Sequence, residues 1–172
     1  MLAQRILALR LVAFDVDGIL TDGGLYLTDS GEEMKRFNSL DGHGLKMLKA
    51  SGVETAIITG RTSRCVELRA KNLGITHLYQ GVEDKWAAMQ KLLTLLNLTP
   101  DVAAYMGDDV VDLPVMRRMG LSITVPNAPQ VVRDHAHYLT QREGGNGAVR
   151  EACELIMSAQ GTLDAQLAPY LS

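Results

Sequence analysis

Cysteine is scarce in this chain, with only Cys65 and Cys153 in 172 residues. Two thiols make no disulfide framework, and their spacing offers no metal-ligand motif, so the expectation is reduced thiols and a cytoplasmic setting. Long apolar runs are missing too: none approaches the length a membrane-spanning helix needs. The opening MLAQRILALR is apolar enough to invite comparison with a signal peptide, but Arg5 and Arg10 interrupt it and no small-residue cleavage site follows. A short amphipathic helix is predicted there. Nor is there an excess of positive charge: the net charge is −3, which argues against a nucleic-acid surface. An anionic substrate therefore needs basic residues placed locally. No internal repeat or low-complexity linker divides the chain, and its length fits one domain with a well-buried core.

What is present centres on residues 11–23, LVAFDVDGILTDG. Leu11 to Phe14 read as a buried strand of a parallel sheet, because the apolar run is continuous rather than alternating. Asp15 and Asp17 then sit at the carboxyl end of that strand, the edge where open α/β sheets bind ligands. Two residues apart in extended chain, they leave the backbone on the same side. Like charges so close call for a cation, and a hard oxygen-seeking ion such as Mg²⁺ fits. The alternative is a plain strand end with acidic turn residues, and the rest of the chain has to decide.

Residues 24–38 predict a β-hairpin around the turn Asp29, Ser30, Gly31. Its charges Glu32, Glu33, Lys35 and Arg36 read as a solvated face. A helix is expected over LKMLKASG, closed by Gly52. The run VETAIIT predicts a second strand that ends in Thr59, Gly60 and Arg61. It delivers a hydroxyl, backbone N–H groups and a guanidinium suited to holding a phosphate at the start of the following helix. A short strand and an amphipathic helix follow, and Lys85 lies in that helix's first turn, where the dipole disfavours a cation. The run DVAAYM is a third clear strand, ending in Gly107, Asp108 and Asp109 with Asp112 close behind. This second acidic cluster on the same sheet edge can complete a cation site, with Asp112 capping or bracing the next helix. His135 and His137 lack a third ligand and read as solvated. GGNG opens a last helix (about 146 onward), and the remainder to residue 172 is expected as a mobile or partner-docked tail. Strands alternating with helices throughout predict a single α/β domain with a doubly wound parallel sheet.

An aspartate nucleophile, a second aspartate two residues on, a Thr/Gly phosphate grip, a lysine and a distal acidic pair are the parts needed for phosphoryl transfer through an aspartyl-phosphate. In this order DVDGILTDG, ITGR, EDK and GDDVVD resemble the four motifs of the haloacid dehalogenase superfamily of phosphatases. The resemblance implies that Asp15 attacks phosphorus, and that Asp17 protonates the leaving alcohol and then activates water. It also implies that Asp15, the Asp17 backbone carbonyl and Asp108 hold Mg²⁺, that Thr59 and Lys85 neutralise phosphoryl oxygens, and that Asp109 and Asp112 support them.

The intervals between motifs leave room only for the hairpin and not for a cap domain. Among capless members the chain resembles the 3-deoxy-D-manno-octulosonate 8-phosphate phosphatases of lipopolysaccharide sugar synthesis. GEEMKRFNSLDGHGLK, the stretch from ITGR to EDK, GDDVVDLPVM and GGNGAVRE carry that resemblance. It implies substrate contacts at Asn38, Ser39, Leu40, Asp41, Gly42, Lys46, Gly60, Arg61 and Arg69, and a homotetramer whose hairpins meet centrally. Leu40 and Asn146 stand where the family often carries a cation. A nine-carbon sugar acid phosphate, or another small phosphorylated acid, therefore stays open as substrate. A receiver-type signalling domain clusters similar residues, but it normally places its acidic pair first and its phosphorylated aspartate later.

Overall fold

A computed structural model describes residues 2–172. Helix α1 (Leu2–Leu7) leads into β1 (Leu11–Phe14), and a hairpin of β2 (Tyr26–Leu27) and β3 (Glu33–Met34) precedes α2 (Ser39–Ala50). The chain continues through β4 (Glu54–Ile58), α3 (Arg64–Leu73), β5 (His77–Tyr79), α4 (Lys85–Leu96) and β6 (Ala103–Met106). It then passes through α5 (Leu113–Met116), β7 (Leu121–Thr124), α6 (Gln130–Arg133), β8 (Tyr138–Leu139), α7 (Ala148–Ala159) and α8 (Leu163–Leu171). The expected opening helix is α1; Met1 lies outside the described residues.

The six-stranded sheet has the order β5-β4-β1-β6-β7-β8, and every pairing in it is parallel. This is the predicted doubly wound sheet. All four residues of β1, β6 and β7 are buried. The β1 run is wholly apolar, as a strand covered on both faces requires, whereas β7 buries the hydroxyls of Ser122 and Thr124, the latter donating to the Gly107 carbonyl at 2.7 Å. From β1 the chain winds outward through β4 to β5, then returns to build β6, β7 and β8 on the other side. Right-handed crossovers in opposite directions put α2 and α3 over one face and α4 and α5 over the other. Accordingly α2 packs on α3 and α7, while α4 packs on α5. The reversal leaves a crevice between the carboxyl ends of β1 and β6.

Register brings the strand ends level. Phe14 pairs with Ile57 on one side and Met106 on the other. The next residue is still held, since Asp15 N–H donates to the Met106 carbonyl at 2.9 Å and Thr59 N–H donates to the Tyr79 carbonyl at 2.9 Å. Both side chains thus start from backbone fixed by the ladder.

Behind the hairpin, α2 crosses α7 closely. A side chain at Gly44 would meet the Cα of Arg150 at 3.1 Å, so glycine is needed for the approach. Helix α7 has no capping side chain of its own. Asp41 of α2, almost fully buried, supplies one, its Oδ1 accepting from Arg150 N–H at 2.9 Å. The final segment forms α8, with Leu163 and Leu167 resting against the core and the Tyr170 ring edge-on to His43 at 5.5 Å.

Because Asp41 caps a helix across a tertiary contact, Asp41→Ala is expected to cost about 1–2 kcal/mol, the upper range for loss of a cap. The check is a urea titration, in which the midpoint falls while the slope stays unchanged.

Candidate active site

Three strand ends meet at a cleft of about 660 Å³. It is lined by Asp15 and Asp17 after β1, Thr59, Gly60 and Arg61 after β4, and Asp108 and Asp109 after β6. Lys85 reaches it from the first turn of α4.

At its base lies a chain of buried charge. Lys85 Nζ sits 2.9 Å from Asp15 Oδ2 and 2.6 Å from Asp112 Oδ1. The Tyr105 hydroxyl, inside β6, lies 3.1 Å from Asp112 Oδ1. Asp112 Oδ2 accepts from the N–H groups of Asp108 and Asp109 at 3.0 and 3.1 Å. Both oxygens of Asp112 are therefore committed, and it braces the Gly107–Asp109 turn instead of capping α5, which has no side-chain cap. Burial alone would make Lys85 easier to deprotonate, but Asp15 and Asp112 outweigh it and hold its pKa above the ordinary lysine value.

The remaining carboxylates are left short of positive charge. Burial, reinforced by Asp112, pushes Asp15 up to about 6 in spite of Lys85. Burial again, then Asp15 and Asp112, pushes Asp108 up to about 7. Asp108 Oδ1 is buried with no hydrogen-bond partner. Carboxylate oxygens of Asp15, Asp108 and Asp112 come within 4.8 Å of one another. Three carboxylates against one ammonium leave two negative charges, and an oxygen-only donor set suits a divalent hard cation. Asp15 and Asp108 have capacity to spare for it, and the Asp17 carbonyl accepts no hydrogen bond among the described residues. Gly18 (φ +86°) makes the room, since a Cβ there would fall inside the Asp108 carboxylate.

The upper part of the cleft is suited to an anion. Thr59 is buried, and among the described residues its hydroxyl has no hydrogen-bond partner. The expected helix start is farther away, as α3 begins at Arg64. Arg61 extends from the loop after β4, its Nη2 2.9 Å from Glu33 Oε1.

Other residues singled out in the sequence lie outside the cleft of this one chain. Asn38 caps α2, its Oδ1 accepting from Leu40 N–H at 2.8 Å and Asp41 N–H at 3.2 Å. Ser39, Leu40 and Lys46 are exposed on α2. Arg69 stacks over Phe37 at 5.7 Å and holds the Asn38 carbonyl at 3.1 Å, with Gly42 beneath its guanidinium. His135 and His137 are exposed, as expected.

The hairpin charges need correction. Glu33 and Lys35 are not on a solvated face: Lys35 Nζ lies 2.6 Å from Asp17 Oδ1 and 3.2 Å from Glu33 Oε1. The available signal was strand alternation, which puts Glu33 and Lys35 on one side and Met34 on the other. The cleft's apolar wall of Leu25, Val82 and Val111 was also not anticipated.

Comparison with known proteins identifies the family. A model for haloacid dehalogenase-like hydrolases matches residues 75–151. The 3-deoxy-D-manno-octulosonate 8-phosphate phosphatase KdsC of Yersinia pestis is 48% identical over 161 residues, 94% of this chain and 86% of that protein. This chain belongs to the 3-deoxy-D-manno-octulosonate 8-phosphate phosphatase family. A probable YrbI family phosphatase from Pseudomonas syringae has a TM-score of 0.98 and 57% identity, covering 99% of this chain and 97% of that one. The Moraxella catarrhalis phosphatase, solved with magnesium ion, phosphate ion and KDO, has a TM-score of 0.96 and 46% identity over 98% of this chain and 97% of that one. Membership in this phosphatase family decides against the receiver-type alternative.

Without a cation, Asp15 and Asp108 retain protons in the folded protein well above the ordinary carboxylate value of 3.8. Their contribution to stability is full below that value and is lost as pH rises toward about 7. A divalent cation bound between these carboxylates would replace their protons, so Mg²⁺ should raise Tm more at about pH 7.5 than at about pH 5.5. Calorimetry on EDTA-treated protein, with and without added Mg²⁺, checks this, and Asp108→Asn should flatten the difference.

Proposed function

We propose that this protein is a Mg²⁺-dependent phosphomonoesterase that hydrolyses 3-deoxy-D-manno-octulosonate 8-phosphate in the cytoplasm through an aspartyl-phosphate on Asp15. The observation that carries the proposal is the meeting of Asp15, Lys85 and the unpartnered Asp108 oxygen at one sheet edge. Its support is membership in a family whose Moraxella member was solved with magnesium, phosphate and KDO.

Lys85 anchors Asp15 in one orientation and offsets the charge of an arriving phosphate. Thr59 and the Gly60 N–H receive phosphoryl oxygens, and Arg61 adds a charge at the entrance. A carboxylate oxygen of Asp15 attacks phosphorus as the bond from phosphorus to the sugar oxygen breaks, and Asp17 gives its proton to that oxygen. In the second half Asp17 takes a proton from water, the hydroxyl oxygen attacks phosphorus, and the Asp15–phosphorus bond breaks to release inorganic phosphate. Asp15, Asp108 and the Asp17 carbonyl would hold Mg²⁺, which when bound would supply positive charge where the phosphoryl group gathers negative charge. Asp112, with Asp109 beside it, keeps Asp108 and Lys85 in register. Preorganised charge of this kind is a large term in lowering such barriers.

The proposed assembly is a homotetramer joined through the hairpins. Leu25, Tyr26, Leu27 and Met34 are all exposed there, an apolar surface of the kind interfaces cover. In such an assembly a neighbouring chain supplies the contacts that bring residues near Asn38–Gly42, Lys46 and Arg69 into a substrate site. Sedimentation should report a four-chain mass, and Leu27→Glu should lower it.

Phosphate release from eight-carbon and nine-carbon sugar acid phosphates, beside simple phosphosugars, tests the substrate. The eight-carbon acid should be preferred and EDTA should abolish turnover; preference for the nine-carbon acid would move the substrate and keep the chemistry. Asp15→Asn should be inactive and Asp17→Asn slower by at least ~10²-fold, the low end for general acid–base catalysis.

A further inference from the structure

Four charged groups close a ring at the mouth of the cleft. Lys35 leaves only 2% of its side chain exposed and donates to Asp17 Oδ1 at 2.6 Å and to Glu33 Oε1 at 3.2 Å. Glu33 Oε1 also accepts from Arg61 Nη2 at 2.9 Å, and Arg61 Nε returns to within 3.8 Å of Asp17 Oδ2. The ring joins three separate pieces of chain: the loop after β1, the hairpin, and the loop after β4.

Burying an ammonium group and ordering a long side chain both cost free energy. In the single chain Leu27 and Met34 of the same hairpin lie exposed, so Lys35 is the long side chain it turns inward. What the burial achieves is a single orientation for Asp17. Oδ1 is held by Lys35, while Oδ2 accepts no hydrogen bond among the described residues, with Arg61 Nε 3.8 Å away, and Asp17 lines the cleft. An aspartate that must meet the leaving oxygen in one half-reaction and water in the other gains from such restraint, because misplacement of a proton donor by about 1 Å can cost 10²-fold in rate.

We propose that Lys35 is a positioning residue for Asp17, and that Glu33 sets both Lys35 and Arg61, making the hairpin a working part of the catalytic edge. The inference rests on the aspartyl-phosphate reading above. Lys35 does not touch phosphorus; it acts through Asp17.

The test compares wild type, Lys35→Met, Lys35→Arg and Glu33→Gln on the eight-carbon sugar acid phosphate and on p-nitrophenyl phosphate, with Mg²⁺ present. On the sugar ester, whose alcohol must be protonated to leave, Lys35→Met should lower kcat by ~10²-fold with little change in KM. Lys35→Arg should restore most of the loss. On p-nitrophenyl phosphate the phenolate leaves without a proton. Rapid mixing should therefore show a burst of about one p-nitrophenolate per site at near the wild-type rate, then slow turnover limited by water activation. Glu33→Gln, which preserves volume, should give a smaller kcat loss with a raised KM; it carries the test if Lys35→Met does not fold. An unchanged kcat in both Lys35→Met and Glu33→Gln, a KM effect alone in Lys35→Met, or equal slowing of the first step on both esters would overturn the assignment. Wild-type inactivity toward every ester would instead defeat the aspartyl-phosphate reading itself.

Discussion

The buried Lys85 ammonium, shared between Asp15 and Asp112, is the interaction on which the rest of the site depends. Carboxylates placed together away from water repel one another and lose hydration, so they persist only with compensating charge and hydrogen bonds. One lysine serves two of them, and Tyr105 with two backbone N–H groups satisfies the rest of Asp112. Asp108 is left over. One of its oxygens is buried without a hydrogen-bond partner, and burial, with repulsion from Asp15 and Asp112, raises its pKa. The protein thus builds a cation requirement into its own electrostatics, and the position of Lys85 at a helix N-terminus, unfavourable by the dipole, is explained by what it reaches.

Sheet topology makes this concentration of charge possible. Only at the reversal of winding do the strand ends open without a helix covering them. With Phe14, Ile57 and Met106 in register, the residues that follow them must converge there. The hairpin then contributes from above, through Lys35 and Glu33, so the cleft has a rigid floor set by backbone ladders and a rim set by side-chain ion pairs. The floor draws on backbone hydrogen bonds that are hard to break, whereas the rim depends on Arg61, Glu33 and Lys35 staying in place.

Much was legible in the chain because local chemistry and spacing carry it. Unbroken apolar runs mark buried parallel strands, since a strand covered on both faces has no polar side to show. Residues directly after such runs lie at the carboxyl edge, which is why Asp15, Asp17, Thr59 and Asp108 could be placed together; Lys85 begins a helix and joined them through the resemblance of the motifs. The substrate contacts inferred by resemblance are a different matter. Asn38 is spent locally as the cap of its own helix, and Asp41 and Arg69 have long-range partners within this chain that no spacing reveals: a second helix's cap, and a carbonyl with a ring beneath it.

By itself the sequence determined the principal strands and the acidic residues at their carboxyl ends, because these follow from period, polarity and position along one chain, while the roles in phosphoryl transfer came from the resemblance of its motifs to a known family. Only the tertiary structure decided that Lys35 and Glu33 face inward, that both oxygens of Asp112 are spent, and that Asp108 is the carboxylate left unpaired. Those outcomes depend on distances between segments far apart in sequence, and a charge's partner is fixed by which other charges the folded chain brings within a few ångströms.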